Sequence, residues 1–65
     1  MTTYAIQIIL PARGGTTTTE VLPYDKLDEA MVDAANGSIR IPHSEWIVKD
    51  REKIVAVFWN GGRVV

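Results

Sequence analysis

The chain has 65 residues, 46% of them apolar, a formal net charge of −1, one histidine and no cysteine. This length holds a single domain, residues 1–65, and buries only about 60% of the surface its unfolded form exposes. Disulfides, thiolate metal sites and histidine-rich metal sites are excluded by composition, and a near-neutral balance gives no bulk field to draw nucleic acid or an anionic membrane. Small domains usually offset the cost of ordering with disulfides, metals or self-association, so self-association is the device left.

Residues Tyr4–Leu10 are rich in β-branched residues and end at Pro11, which predicts a strand with Tyr4, Ile6, Ile8 and Leu10 toward the core. The apolar run Ala5–Leu10 has no basic segment before it and is too short for a signal-peptide core or a membrane span, so a cytoplasmic location is expected. Gly14 and Gly15 permit a turn after Ala12 and Arg13. Thr16–Leu22 then suits a half-exposed edge strand, giving a hairpin over residues 4–22 that Pro23 closes.

A helix is predicted over Asp25–Asn36, with Asp25 as cap, Asp28 and Glu29 in the first turn, and Leu27, Ala30, Met31 and Ala34 on one face. Asn36-Gly37 reads as its stop, with Gly37 in the left-handed position. Ser38–Ile41 alternates and reads as a short strand, interrupted by a bend at Pro42-His43-Ser44 and resumed in Glu45–Lys49. Asp50-Arg51-Glu52 is a polar turn, and Lys53–Trp59 is the strongest strand of the chain. Asn60-Gly61 favours a tight turn, after which Arg63-Val64-Val65 could pair back as a short fifth strand. The expected fold is a small two-layer α+β domain, an antiparallel sheet with one helix in the order β-β-α-β-β. Its expected core is Ile6, Ile8, Leu10, Leu27, Ala30, Met31, Ala34, Ile39, Ile41, Ile54, Ala56 and Phe58.

One helix covers one sheet face. The last long strand is nevertheless apolar on both sides, with Ile54, Ala56 and Phe58 on one and Val55, Val57 and Trp59 on the other. Such a strand is buried twice over by a curled sheet, or it lies in an interface. The expected contact residues are Val55, Val57, Trp59 and Trp46.

Catalytic chemistry finds no constellation. His43, Ser44 and Glu45 are consecutive, and neighbours in an extended chain point to opposite sides, so they read as a polar bend. Asp25, Asp28, Glu29 and Asp33 read as a solvated helix face. Arg13-Gly14-Gly15 lacks the Gly-Lys-Thr ending of a phosphate loop and reads as a hairpin turn. Neither a cofactor nor a metal is expected.

Residues 38–65 carry five basic and three acidic side chains, against two basic and five acidic in residues 1–37. Arg40, Lys49, Arg51 and Lys53, with the tryptophans, are therefore candidate contacts to single-stranded nucleic acid. The expectation is a non-enzymatic, homo-oligomeric interaction module with a protein partner, of the kind met among small bacterial or phage accessory proteins; a small nucleic-acid-binding regulator is the alternative.

Overall fold

A computed structural model describes residues 4–65, Leu22 by its backbone alone. Five strands and one helix follow in the order β1 (Tyr4–Ala12), β2 (Gly15–Tyr24), α1 (Leu27–Arg40), β3 (Glu45–Asp50), β4 (Lys53–Trp59) and β5 (Gly62–Arg63). All neighbouring strands are antiparallel, in the spatial order β2-β1-β3-β4-β5. The two-layer α+β expectation holds, and the short fifth strand extends the expected order to β-β-α-β-β-β.

Register decides which residues meet the helix. Ile8 pairs with Trp46, and Trp46 with Phe58; Ile6 pairs with Val48, and Val48 with Ala56. These residues alternate onto one face, where Ile6, Ile8, Val48, Ala56 and Phe58 pack with Ala30 and Ala34 of α1. Tyr4, Leu10, Tyr24, Leu27, Met31, Ala35, Trp46 and Val55 border this core half-buried. Full burial of a residue such as Ile6 or Val48 contributes about 1.5–3 kcal/mol each, and both have no exposed surface. The alanines Ala30 and Ala34 let the helix axis come close to the sheet.

The helix departs from its expected limits at both ends. Lys26, not Asp25, occupies the N-cap, without a side-chain cap, and the helix runs through Ser38 to Arg40. The expected strand at Ser38–Ile41 is thus absent, and Gly37 is not a stop. Gly37 lies inside the helix because the indole of Trp46 fills the space its Cβ would need. Ser38 fixes the added turn: its Oγ donates to the Ala35 carbonyl at 2.8 Å and accepts the Gly61 N–H at 2.8 Å. The helix ends where Pro42 demands an extended residue before it. Ile41 takes that conformation, φ −113° and ψ 99°, while its N–H still bonds to the Gly37 carbonyl at 3.0 Å.

Three expected core residues are exposed. Continuing the helix turns Ile39 and Ile41 out of the sheet. A bulge between Val48 and Lys49 pairs Lys49 with Ile54, which carries Ile54 out of the core and leaves Val55 against the helix side.

Candidate interaction surface

The face opposite α1 is built by the other parity of each strand. Register aligns Thr18, Ile9, Glu45 and Trp59 in one row, Glu20, Gln7, Ile47 and Val57 in the next, and Ala5, Lys49 and Ile54 in a third. Apolar side chains occupy the middle and Glu20, Glu45 and Lys49 stand among and around them. The face thus has an apolar centre with charged residues on either side of it along β3.

The centre of this face is already dry. Ala5, Ile47 and Val57 are buried although no helix covers them. The apolar surplus is thus partly absorbed within the chain. What stays accessible is its border: Trp59 is 37% exposed, Ile54 53%.

Trp59 is not a free-standing ring. The His43 ring lies beside it, centroids 6.3 Å apart and planes inclined at 56°, within the range of favourable tilted aromatic pairs. His43 reaches that place through a strained turn, with φ +64°, a left-handed conformation that non-glycine residues adopt at a cost. Two devices impose it. Pro42 presets the preceding residue of the turn, and Ser44, fully buried, closes it, its Oγ donating to the Ile41 carbonyl at 2.5 Å. The same Oγ accepts the indole N–H of Trp46 at 2.7 Å. The two tryptophans therefore have separate tasks: Trp46 packs beneath α1 and anchors the turn, and Trp59 stands at the surface where the turn delivers His43.

Of the four expected contact residues, Val57 and Trp59 share the uncovered face, whereas Trp46 and Val55 are placed on the helix side. Ile9, Ile54 and His43 complete the surface. Parity in β1 alone assigns Ile9 to it, and Ile54 joins only through the bulge in β4; the place of His43 beside Trp59 was not legible, because nothing in sequence ties a residue of a bend to a strand end sixteen positions on.

The basic residues are not brought together. Arg40 ends the helix, near the start of β3, while Arg51 and Lys53 surround the turn at its other end. A strand of that length separates them by roughly 20 Å. Among the four, Lys49 alone projects onto the uncovered face.

Elsewhere, Ser44 has both its hydroxyl functions engaged and offers no nucleophile. Among the described residues no cluster of three metal-ligating side chains occurs. Asp28, Glu29, Val32 and Asp33 line a shallow, open depression on the outer side of α1. Beside it the Tyr24 hydroxyl donates to Asp33 Oδ2 at 2.9 Å. The Tyr24 pKa is raised above its ordinary value by burial, by this bond, and by the charges of Asp33 and Glu29. Arg13 and Gly14 form the exposed two-residue turn of the first hairpin, with φ +84° at Gly14.

No family model matches the chain, and searches of curated proteins and of solved structures find no significant match.

Proposed function

We propose that the chain is a non-enzymatic interaction module that works as a homo-oligomer, with the surface around Trp59 as a contact to another macromolecular surface. The observation that carries the reading is Trp59 itself: a large aromatic side chain, outside the helix-covered core, held at the rim of a dry apolar face and flanked by a histidine that a strained turn places there. Tryptophan supplies a large contact area for few rotatable bonds and dominates contact energies when it is surrounded by residues that exclude water. On the same face Val57 lies two residues before Trp59 in β4, Ile47 stands diagonally across in β3, and Glu45 is directly opposite.

The test is the mass in solution of the wild-type chain and of Trp59→Asp at two concentrations about a hundredfold apart. The reading expects the wild type at a multiple of 7.2 kDa, and the variant at a smaller mass with an unchanged far-ultraviolet circular dichroism spectrum. A variant that unfolds instead would assign Trp59 to the core and remove the reading's support. The dispersal of Arg40, Lys49, Arg51 and Lys53 does not favour the nucleic-acid alternative, for which an oligonucleotide titration at low salt is the direct check.

A further inference from the structure

The two edges of the sheet are unlike. One is β5, two residues long, and the Arg63 guanidinium donates there to the Val55 carbonyl at 3.2 Å while the Val64 N–H bonds to the Val57 carbonyl at 2.8 Å. Beside β5 the rest of β4 forms this edge, and two of its carbonyls, those of Val55 and Val57, are engaged by these bonds. The other is β2, ten residues long. Natural sheets blunt a long edge with lysines, prolines, bulges or inward-pointing charges. In β2 the bulge and Pro23 lie at its far end, and the stretch Gly15–Val21 carries one charge, Glu20, and no lysine.

Which of its backbone groups are free follows from the hairpin. Ala12 and Gly15 close a two-residue turn, and such a closing pair exchanges both its hydrogen bonds. Alternation then assigns Thr17, Thr19 and Val21 to bonding with β1, and directs the N–H and C=O of Thr16, Thr18 and Glu20 outward.

We propose that this edge pairs with the same edge of a second copy, antiparallel about a two-fold axis through Thr18. The proposal deepens the homo-oligomeric reading by naming a contact between copies that is independent of Trp59. The register is selected by the strand itself. With Thr18 opposite Thr18 of the second copy, Thr16 falls opposite Glu20 and Glu20 opposite Thr16, so all three outward-facing residues find a partner; centring on Thr17 or Thr19 leaves one of the three without its match. No two like charges meet. Thr17 and Thr19 stand opposite each other, a favourable cross-strand pair. The same register carries Arg13, exposed at the hairpin tip, beside the stretch 23–25 of the second copy, where Asp25 leads into the acidic start of the helix with Asp28 and Glu29. Because residues of equal parity pair, both helices lie on one side, and the two uncovered faces join into one continuous surface.

The geometry supplies a selective probe. Thr18→Pro removes an outward N–H and no bond to β1, a change an edge strand tolerates; Thr18→Lys sets like charges opposite each other without touching the backbone. Each is expected to halve the mass of the wild-type assembly while Trp59→Asp acts separately. In this cysteine-free chain, Thr18→Cys is expected to form a disulfide-linked dimer on mild oxidation, because the symmetric pair lies about 5.5 Å apart between Cα atoms. Thr16→Cys, facing Glu20 of the second copy, is expected to form far less. Wild-type mass in both Thr18→Pro and Thr18→Lys overturns the edge pairing and leaves the Trp59 reading standing if Trp59→Asp dissociates. Equal cross-linking of the two cysteine variants, or a wild type of 7.2 kDa at both concentrations, overturns it as well.

Discussion

Replacing Gly37 by alanine should destabilise this protein, although the same change inside a helix ordinarily stabilises it by about 1 kcal/mol. The sign reverses because the added methyl group would occupy space already filled by Trp46: the nearest atoms to its position are Cη2, Cζ2 and Cζ3 of the indole ring. Ordinary carbon contacts lie at roughly 3.5–4.0 Å, so the ring must retreat by about 1 Å. It is not free to do so, since its N–H is bonded to Ser44 Oγ at 2.7 Å and that hydroxyl closes the turn beneath His43. Overpacking of this kind costs about 1–3 kcal/mol, and a lost buried hydrogen bond adds about 1–3 kcal/mol. Against the gain in helix propensity, the net expectation is about 1–5 kcal/mol of destabilisation. A chain of this length has roughly 3–10 kcal/mol in all, and each kcal/mol moves the midpoint by about 4–8 °C. Thermal and urea unfolding of Gly37→Ala, compared with Gly37→Ala/Trp46→Phe, measures the effect. The smaller ring should recover part of the loss, giving a coupling between the two sites. A Gly37→Ala protein as stable as the wild type, or more so, would refute the packing argument.

Two further outcomes follow from the hydrogen bonds of Ser38 and Tyr24. Ser38→Ala removes the acceptor of the Gly61 N–H and should cost about 1–2 kcal/mol, with faster amide exchange at Gly61. Tyr24 should ionise above its ordinary value of 10.0, and Asp33→Asn should lower that value in a titration of phenolate absorbance. The sign for stability is that of a raised acid: the neutral phenol is favoured in the folded chain, so the contribution is present below pH 10.0 and is lost as the pH rises through the folded value. Constant stability from neutral pH into that range would remove Tyr24–Asp33 from the account.

Local pattern carried most of the strands, although β1 and β2 run on through Pro11 and Pro23, which were expected to end them. The parity of Tyr4, Ile6, Ile8 and Leu10, the polar edge strand of threonines and the continuous run Lys53–Trp59 all lie where their chemistry puts them. The helix limits were not legible, because tertiary packing overruled local signals there. Asn36-Gly37 has the chemistry of a stop, but a glycine can equally serve close approach, and the ring that approaches belongs to Trp46, in the following strand. Once the helix continued, Ile39 and Ile41 could no longer alternate as in a strand. Ile54 left the expected core through a bulge, which adds one residue and reverses parity beyond it without any mark in composition. At the candidate surface, Val57 and Trp59 were legible from parity alone. The partnership of His43 with Trp59 was not, since it depends on a turn conformation that histidine adopts only because Pro42 and Ser44 impose it.

The strand order has a kinetic consequence. β1 and β2 form a local hairpin, and β3, β4 and β5 form a local meander, but β1 joins β3 through pairs such as Tyr4 with Asp50 that are remote in sequence. The helix spans the gap, leaving β2 on one side of β1 and arriving at β3 on the other. Each half can form within microseconds, yet neither half buries Ile6 or Val48 until the remote ladder closes. Loop closure precedes the reward of burial, so the closing of β1 against β3 is the expected barrier to folding. Substitutions in that ladder should slow refolding, whereas those in the β4–β5 turn should mainly speed unfolding.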